Sequence, residues 1–461
     1  MRRLFRHRDG DQRLWPVGPV LAASFAVALA TAASVFYTAW KLLGAHGLKH
    51  EPRLDSDTLF DLVKLSFGVV AGAGALVALI VSYRKQRVDE AAGDRDRTRL
   101  YDERFTTASN QLGDNSAAVR LAAVHTLARL ADDARELRQT CIDILCAYLR
   151  LPYTPETDIP PDDRPAHHQY SADREVRHTT IRLIRDHLRP TPDSDQPHWH
   201  GHTFDFTGVA FDGGDFSRAR FTGGTVSFTG TRFTGGTVDF TAAQFTGGTV
   251  DFTGARFTGG TVDFTAAQFA SDNVTFVASR FEGGTVNFAA AQFEGSTTKF
   301  RMARFEAGTV HFGAHFTGGT VDFRNAQFEG GLVAFSAARF TCAVDFTAAL
   351  FQGGRVLFSP LQINGATLNF TAAQFTGSHT NFTGVRFEGG TVHFGAHFAN
   401  AIVDFTRAQF EGSTVNFTAA QFEGSTLDFR HSQGVRPDGL IEPGGSVPLG
   451  VKLPPLWQLA P

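Results

Sequence analysis

Cysteine, methionine, tryptophan and tyrosine are all scarce in this 461-residue chain, at three, two, four and six residues. Cys141, Cys146 and Cys342 are too few and too irregularly spaced for a disulfide framework or a paired metal site, which fits a reducing compartment and thiols buried as small apolar groups. Charge is low as well. Asp, Glu, Lys and Arg make up 19% of the residues and leave a formal net charge of −3, which excludes a general polyanion binder steered by a basic surface. Phosphate-binding loops are missing, because each Gly-Gly-Thr-Val stretch lacks the Lys and following helix that such a site needs. No Gly-x-Ser-x-Gly elbow occurs and no titratable residues converge. No catalytic, cofactor-binding or metal-ligating residue is therefore assigned, and neither enzyme activity nor a small-molecule substrate is expected.

Phenylalanine is what the chain has instead: 45 residues, nearly all between Phe206 and Phe429. Phe228, Phe233, Phe240, Phe245, Phe252, Phe257, Phe264, Phe269, Phe276 and Phe281 are separated by five and seven residues in alternation, a period of about twelve. The unit is clearest at Asp251-Phe252-Thr253-Gly254-Ala255-Arg256-Phe257-Thr258-Gly259-Gly260-Thr261-Val262. Around each Phe the order is small apolar, polar, Phe, Thr, small. Alternation along a short strand puts Phe and the residue two before it on one face, with Asp, Arg, Gln, Asn or Thr on the other.

This phrase resembles the pentapeptide-repeat family, and the resemblance covers about half the chain. It implies an all-β right-handed quadrilateral β-helix. The departure from the family is the extra pair, such as Gly260-Thr261, after every second pentapeptide. A twelve-residue turn cannot enclose two Phe rings, so coils of about twenty-four residues are expected, about nine of them over residues 203–430. Gly-Gly pairs then mark corners, where positive φ costs glycine nothing. His311-Phe312-Gly313-Ala314-His315-Phe316 recurs as His393-Phe394-Gly395-Ala396-His397-Phe398. The two copies lie an odd number of twelve-residue units apart once one-residue deletions near Phe312 and between Phe340 and Phe346 are counted, which makes the half-coil the expected unit of exchange. At Ile363 an aliphatic side chain replaces Phe.

Upstream, residues 17–43 and 62–83 are apolar runs long enough to be transmembrane helices, joined by an external loop (44–61). Arg2, Arg3, Arg6, Arg8 and Arg13 lie in the basic N-terminus (1–16), and Arg84, Lys85 and Arg87 follow the second run. The loop's Lys41, Lys49 and Arg53 are offset by Glu51, Asp55, Asp57 and Asp61. A multi-pass protein of the inner (plasma) membrane with N-terminus and solenoid cytoplasmic is therefore expected. Ala28-Leu29-Ala30 has the form of a signal-peptide cleavage site, although the apolar run continues past it.

Residues 94–190 read as a small all-α segment. A polar helix from Arg95 to Leu112 stops at Gly113. A second places Val119, Val124, Leu127 and Leu130 near one face, and a third covers Gln139–Leu149. A proline-rich loop, Leu151–Ser171, precedes a last helix, Arg174–Leu188. Glu103-Arg104-Phe105, Gln111-Leu112-Gly113 and Leu127-Ala128-Arg129-Leu130-Ala131 resemble a HEAT-like segment found between membrane helices and pentapeptide repeats in some bacterial membrane proteins. Arg174, Arg177, Arg182, Arg185 and Arg189 line the last helix, a face expected to be solvated, or to meet lipid heads or an acidic partner. His198, His200 and His202 would project to one side of a strand, but no fourth metal ligand accompanies them and a polar entry to the solenoid is expected instead. The Pro-rich tail (431–461), with Leu456 and Trp457, is expected to close the far end as the helical segment closes the start.

The function these features suggest is a membrane-anchored, non-enzymatic scaffold for an unknown protein partner. Some pentapeptide-repeat proteins shield topoisomerases by mimicking DNA, and that is the alternative. It needs a strongly acidic surface, whereas residues 201–430 hold eighteen acidic against fourteen basic side chains. A nucleic-acid partner is not expected.

Overall fold

The computed structural model describes residues 17–42, 55–189, 198–295, 297–441 and 445–458; the basic N-terminus and most of the expected external loop lie outside them. The chain divides into two compact units, Met1–Asp102 and Glu103–Pro461. Two helices, α1 (Val17–Leu42) and α2 (Ser56–Gln111), are long and apolar enough to cross a membrane by length and composition. Phe25, Phe36, Phe67, Val70 and Leu79 are exposed along them. Helix α2 is longer than the expected membrane-spanning run. It begins inside the expected loop and runs through Tyr83 to Gln111 as one helix, where two were expected. The residues after Tyr83 are good helix formers, Gln86 donates to Glu90 one turn on at 3.1 Å, and the lone Gly93 costs only about 1 kcal/mol.

The α-helical segment continues with α3 (Ala117–Asp133), α4 (Arg138–Leu149) and α5 (Arg164–Leu188). Their common core holds Val124, Leu127, Ile142, Leu145, Val176 and Ile184, together with the buried thiols of Cys141 and Cys146. Helix α5 starts within the expected loop. Asp163 caps it by accepting from Ala166 N at 3.0 Å, and Pro165 falls in the first turn, where no N–H is needed.

From Phe204 the chain is a parallel β-solenoid of about ten turns and four sheets, three of ten strands and one of eleven. The first sheet contains Thr249–Asp251, the second Arg256–Phe257, the third Thr261–Asp263 and the fourth Gln268–Ala270. Phe257 pairs in register with Phe233 before it and Phe281 after it, twenty-four residues each way, which is the expected coil. About nine turns were expected. The tenth arises because the opening coil, with Phe206, Phe211, Phe216 and Phe221, lacks an inserted pair, and because the tail adds strands at Gln433–Gly434 and Val451–Lys452.

The interior is filled by ring stacks. Phe228, Phe252 and Phe276 stack at 4.6 Å with nearly parallel planes. Phe252 meets Phe264 of the facing sheet edge-on, at 5.7 Å and 89°, the favoured arrangement of opposed ring quadrupoles. Val250, Ala255, Val262 and Ala267 are buried between the rings as expected. Corners after the first and third sheets are held by the residue before Phe: Asp251 accepts from Thr253 N at 2.8 Å and Asp263 from Thr265 N at 2.9 Å. That need for a local acceptor explains the recurring Asp or Asn there. The next corner residue takes positive φ even when it is Ala, as at Ala242 and Ala266, both at 55°. At Gly260 the inserted pair requires glycine: a Cβ there, at φ +68°, would collide with the backbone of Gly235 and Gly236.

The internal duplication lands on opposite sides. His311 ends a strand of the third sheet and His393 one of the first; His315 starts a strand of the fourth and His397 one of the second. A half-coil shift is thus tolerated, because successive halves present equivalent edges. In both copies the corner is one residue shorter, closed by Ala314 N on Phe312 O and Ala396 N on Phe394 O, each at 2.6 Å.

Two inward rungs of the Val ladder are polar. Thr298 lies between Val274 and Val321, and Thr380 between Val356 and Val403. Both are buried, and neither hydroxyl has a partner among the described residues. Thr298→Val or Thr380→Val keeps the shape and removes a desolvated orphan. Each is expected to raise stability by about 1–2 kcal/mol in urea melts. An unchanged midpoint would mean that the hydroxyl is satisfied.

Candidate functional site

Because the interior is packed with rings, the chemistry of the solenoid is displayed outward, in columns whose members repeat once per coil. The second sheet carries an Arg–Glu ladder: Arg256–Glu282 at 2.9 Å, Arg280–Glu306 at 2.9 Å and Arg304–Glu329 at 3.0 Å, with Arg280–Glu282 at 3.1 Å cross-linking it. Arg256 also lowers the Glu282 pKa. Such half-exposed pairs add little stability, and their charges cancel along the face. The fourth sheet shows a Gln column at Gln244, Gln268 and Gln292. On the third sheet the outward Thr column of Thr237, Thr261, Thr285 and Thr309 gives way to Leu332, Arg355, His379 and Ile402, with Leu357 beside them. Ile402 is 51% exposed. Among the described residues of this column, the Thr pattern is thus broken over four coils, with apolar side chains at the first and last of them.

The Arg row of α5 overturns the expectation of a solvated or lipid-facing helix: it docks on the opening coil. Arg177, 4% exposed, donates to Leu149 O at 2.7 Å and Ala210 O at 2.6 Å, with its guanidinium 4.2 Å from the Tyr153 ring. Arg189 reaches Ser217 O at 2.9 Å, Arg185 pairs with Asp215, and Arg182 bonds Thr179 within the helix. From α4, Gln139 exchanges two hydrogen bonds with the Thr203 backbone and Arg150 donates to Asp205 O at 2.9 Å. Side chains thus replace the missing preceding coil, satisfying an edge that would otherwise be open.

Asp212 is the centre of this junction. Its carboxylate accepts from Tyr153 at 2.6 Å, Tyr170 at 2.8 Å and His178 at 3.2 Å, and pairs with Arg174 at 3.3 Å. Burial alone would raise its pKa, but the hydrogen bonds from His178, Tyr153 and Tyr170 hold it well below the usual carboxylate range. Burial and the same carboxylate push Tyr170 up to about 12. Nearby, Asp132 accepts from Trp199 Nε1 at 3.0 Å and meets His187 Nε2 at 3.0 Å, with the imidazole stacked on the indole at 4.2 Å. Burial opposes charge on His187, yet Asp132 and the Leu183 carbonyl raise its pKa.

The residues His198, His200 and His202 precede the first strand and do not share a strand face. His198 and His200 stack at 4.4 Å, and His200 Nε2 lies 3.1 Å from Leu188 O. Among the described residues no group of three His, Cys, Asp or Glu side chains is placed to hold a metal ion. Burial pushes the Cys141 and Cys146 thiols up to about 12 and Cys342 to about 11, which suppresses thiolate at neutral pH.

The far end is closed by Trp457 as expected, but not by Leu456. Trp457 rests on Phe410 at 5.6 Å and Phe429 at 5.9 Å and donates to Gly434 O at 3.0 Å. Leu440 and Leu453 are also buried in the tail, whereas Leu456, in α6 (Pro455–Gln458), is 82% exposed. No family model, curated protein or solved structure matches this chain.

Proposed function

We propose that this chain is a membrane-anchored, non-enzymatic scaffold of the pentapeptide-repeat kind, a right-handed quadrilateral solenoid held at the cytoplasmic side of the inner membrane by α1 and α2 and offering a face to a protein partner. The observation that carries this reading is the break in the outward Thr column of the third sheet, where Leu332, Leu357 and Ile402 are interspersed with Arg355 and His379, on a rod whose packed interior leaves only its surface for recognition. Apolar side chains mixed with polar ones on a rigid repeat surface favour a protein partner. The balanced Arg–Glu ladder argues against DNA mimicry, which needs unpaired acids.

Capture from detergent-solubilised membranes tests it. The partner retained by the native chain is expected to fall at least ten-fold with the double change Leu332→Asp and Ile402→Asp, while the melting temperature stays within a few degrees. Equal capture by both chains would remove this face from the function. A reporter fused after Arg87 that is active only outside the membrane would overturn the topology.

A further inference from the structure

Three of the four sheets are continued past the last full coil by the C-terminal segment. The first is bridged at Asn416 and Asp438, the third by Val451–Lys452 and the fourth by Gln433–Gly434. The second sheet ends at Gln421–Glu423. In earlier coils of that sheet the carbonyls of Phe and of the residue two before it accept from the next strand, as Ala255 O does from Arg280 N at 2.8 Å and Phe257 O from Glu282 N at 2.9 Å. Among the described residues, no N–H reaches the equivalent Ala420 O and Phe422 O. Phe422 is also the one Phe between Phe204 and Phe429 that is not buried, and it borders a groove with Ile441 and Val435, the latter 76% exposed. Outward, the Glu423 side chain is 70% exposed.

We propose that this groove binds an extended peptide of a partner protein, which adds one parallel strand to the second sheet. The register of the sheet specifies its chemistry. A large apolar residue lies over Phe422, the N–H groups on either side of it donate to Ala420 O and Phe422 O, a small residue stands two before it, and a Lys or Arg just after it meets Glu423. Unused carbonyls aimed along the solenoid axis favour this occupant over a helix, whose N–H groups are already spent. The inference rests on the scaffold reading and deepens it by naming a second, separate contact.

The probe is a dye-labelled, capped peptide with the sequence of Gly254–Gly259 carrying Thr258→Lys, titrated by fluorescence anisotropy against the full chain in detergent micelles. Saturable binding is expected. It should weaken at least ten-fold when the amides at the Arg256 and Thr258 positions are N-methylated, and at least ten-fold with Val435→Asp, a surface change that leaves melting unaltered. No saturable binding, or equal affinity of the methylated peptide, overturns the proposal. So does a dimer, seen by light scattering, that Val435→Asp dissolves, since the occupant is then a second copy. A membrane partner captured equally by native and Val435→Asp chains sinks the groove while leaving the scaffold reading intact.

Discussion

Phe264→Ala is expected to cost about 3–5 kcal/mol, measured as the shift in urea unfolding of the detergent-solubilised chain. Phe264 is fully buried, stacked 4.9 Å from both Phe240 and Phe288 and edge-on to Phe252. Its removal forfeits the transfer energy of the ring and two stacking partners at about 0.5–1.5 kcal/mol each. It also leaves a cavity that rigid neighbouring coils cannot close. Thr265→Ala, one residue on, is the control. Its hydroxyl accepts from Asn287 at 2.9 Å on the half-buried surface, so its loss is expected to cost about 1 kcal/mol. Because coils contact only their neighbours, Phe264→Ala should also raise hydrogen exchange locally before the whole rod unfolds. Equal costs for the two changes would refute the inward assignment.

Asp212→Ala is expected to cost about 3–5 kcal/mol and to release the helical segment from the opening coil, seen as new protease cleavage within α5. The change strips a buried carboxylate from two phenols, an imidazole and Arg174, leaving desolvated donors without an acceptor. The pH dependence has a definite sign. The folded-state pKa lies below the ordinary aspartate value of 3.8, so Asp212 contributes its stabilisation above that value and loses it as pH falls toward the folded-state pKa. His187 acts in the opposite sense: its raised pKa makes its contribution complete below 6.5 and lost as pH rises through the folded value. Native docking should therefore weaken at both extremes, and Asp212→Ala should flatten the acid limb. An unchanged acid limb would show that other carboxylates govern docking.

Strand phrase, inward Phe, coil length and exchangeable half-coil were all legible in the residue order, since each depends on spacing within a few tens of residues. Alternation sets which side chain faces in, and the size of two opposed Phe rings sets how much chain a coil must contain. The use of Ala242 and Ala266 at positive φ was not legible, because nothing in Thr-Ala-Ala-Gln distinguishes a corner from a strand until the coils above and below impose one. Helix α2 likewise passes a boundary suggested by composition, because a change from apolar to charged residues alters solvent preference without supplying a cap. The Arg row of α5 had the same sequence pattern as a solvated face. Its destination was decided by tertiary structure, where the opening coil presents Asp212, Asp215 and unpaired carbonyls to that helix. Periodicity determines what a repeat does to itself, whereas the two ends have no repeat beyond them. How each edge is satisfied depends on which distant side chains the fold brings there.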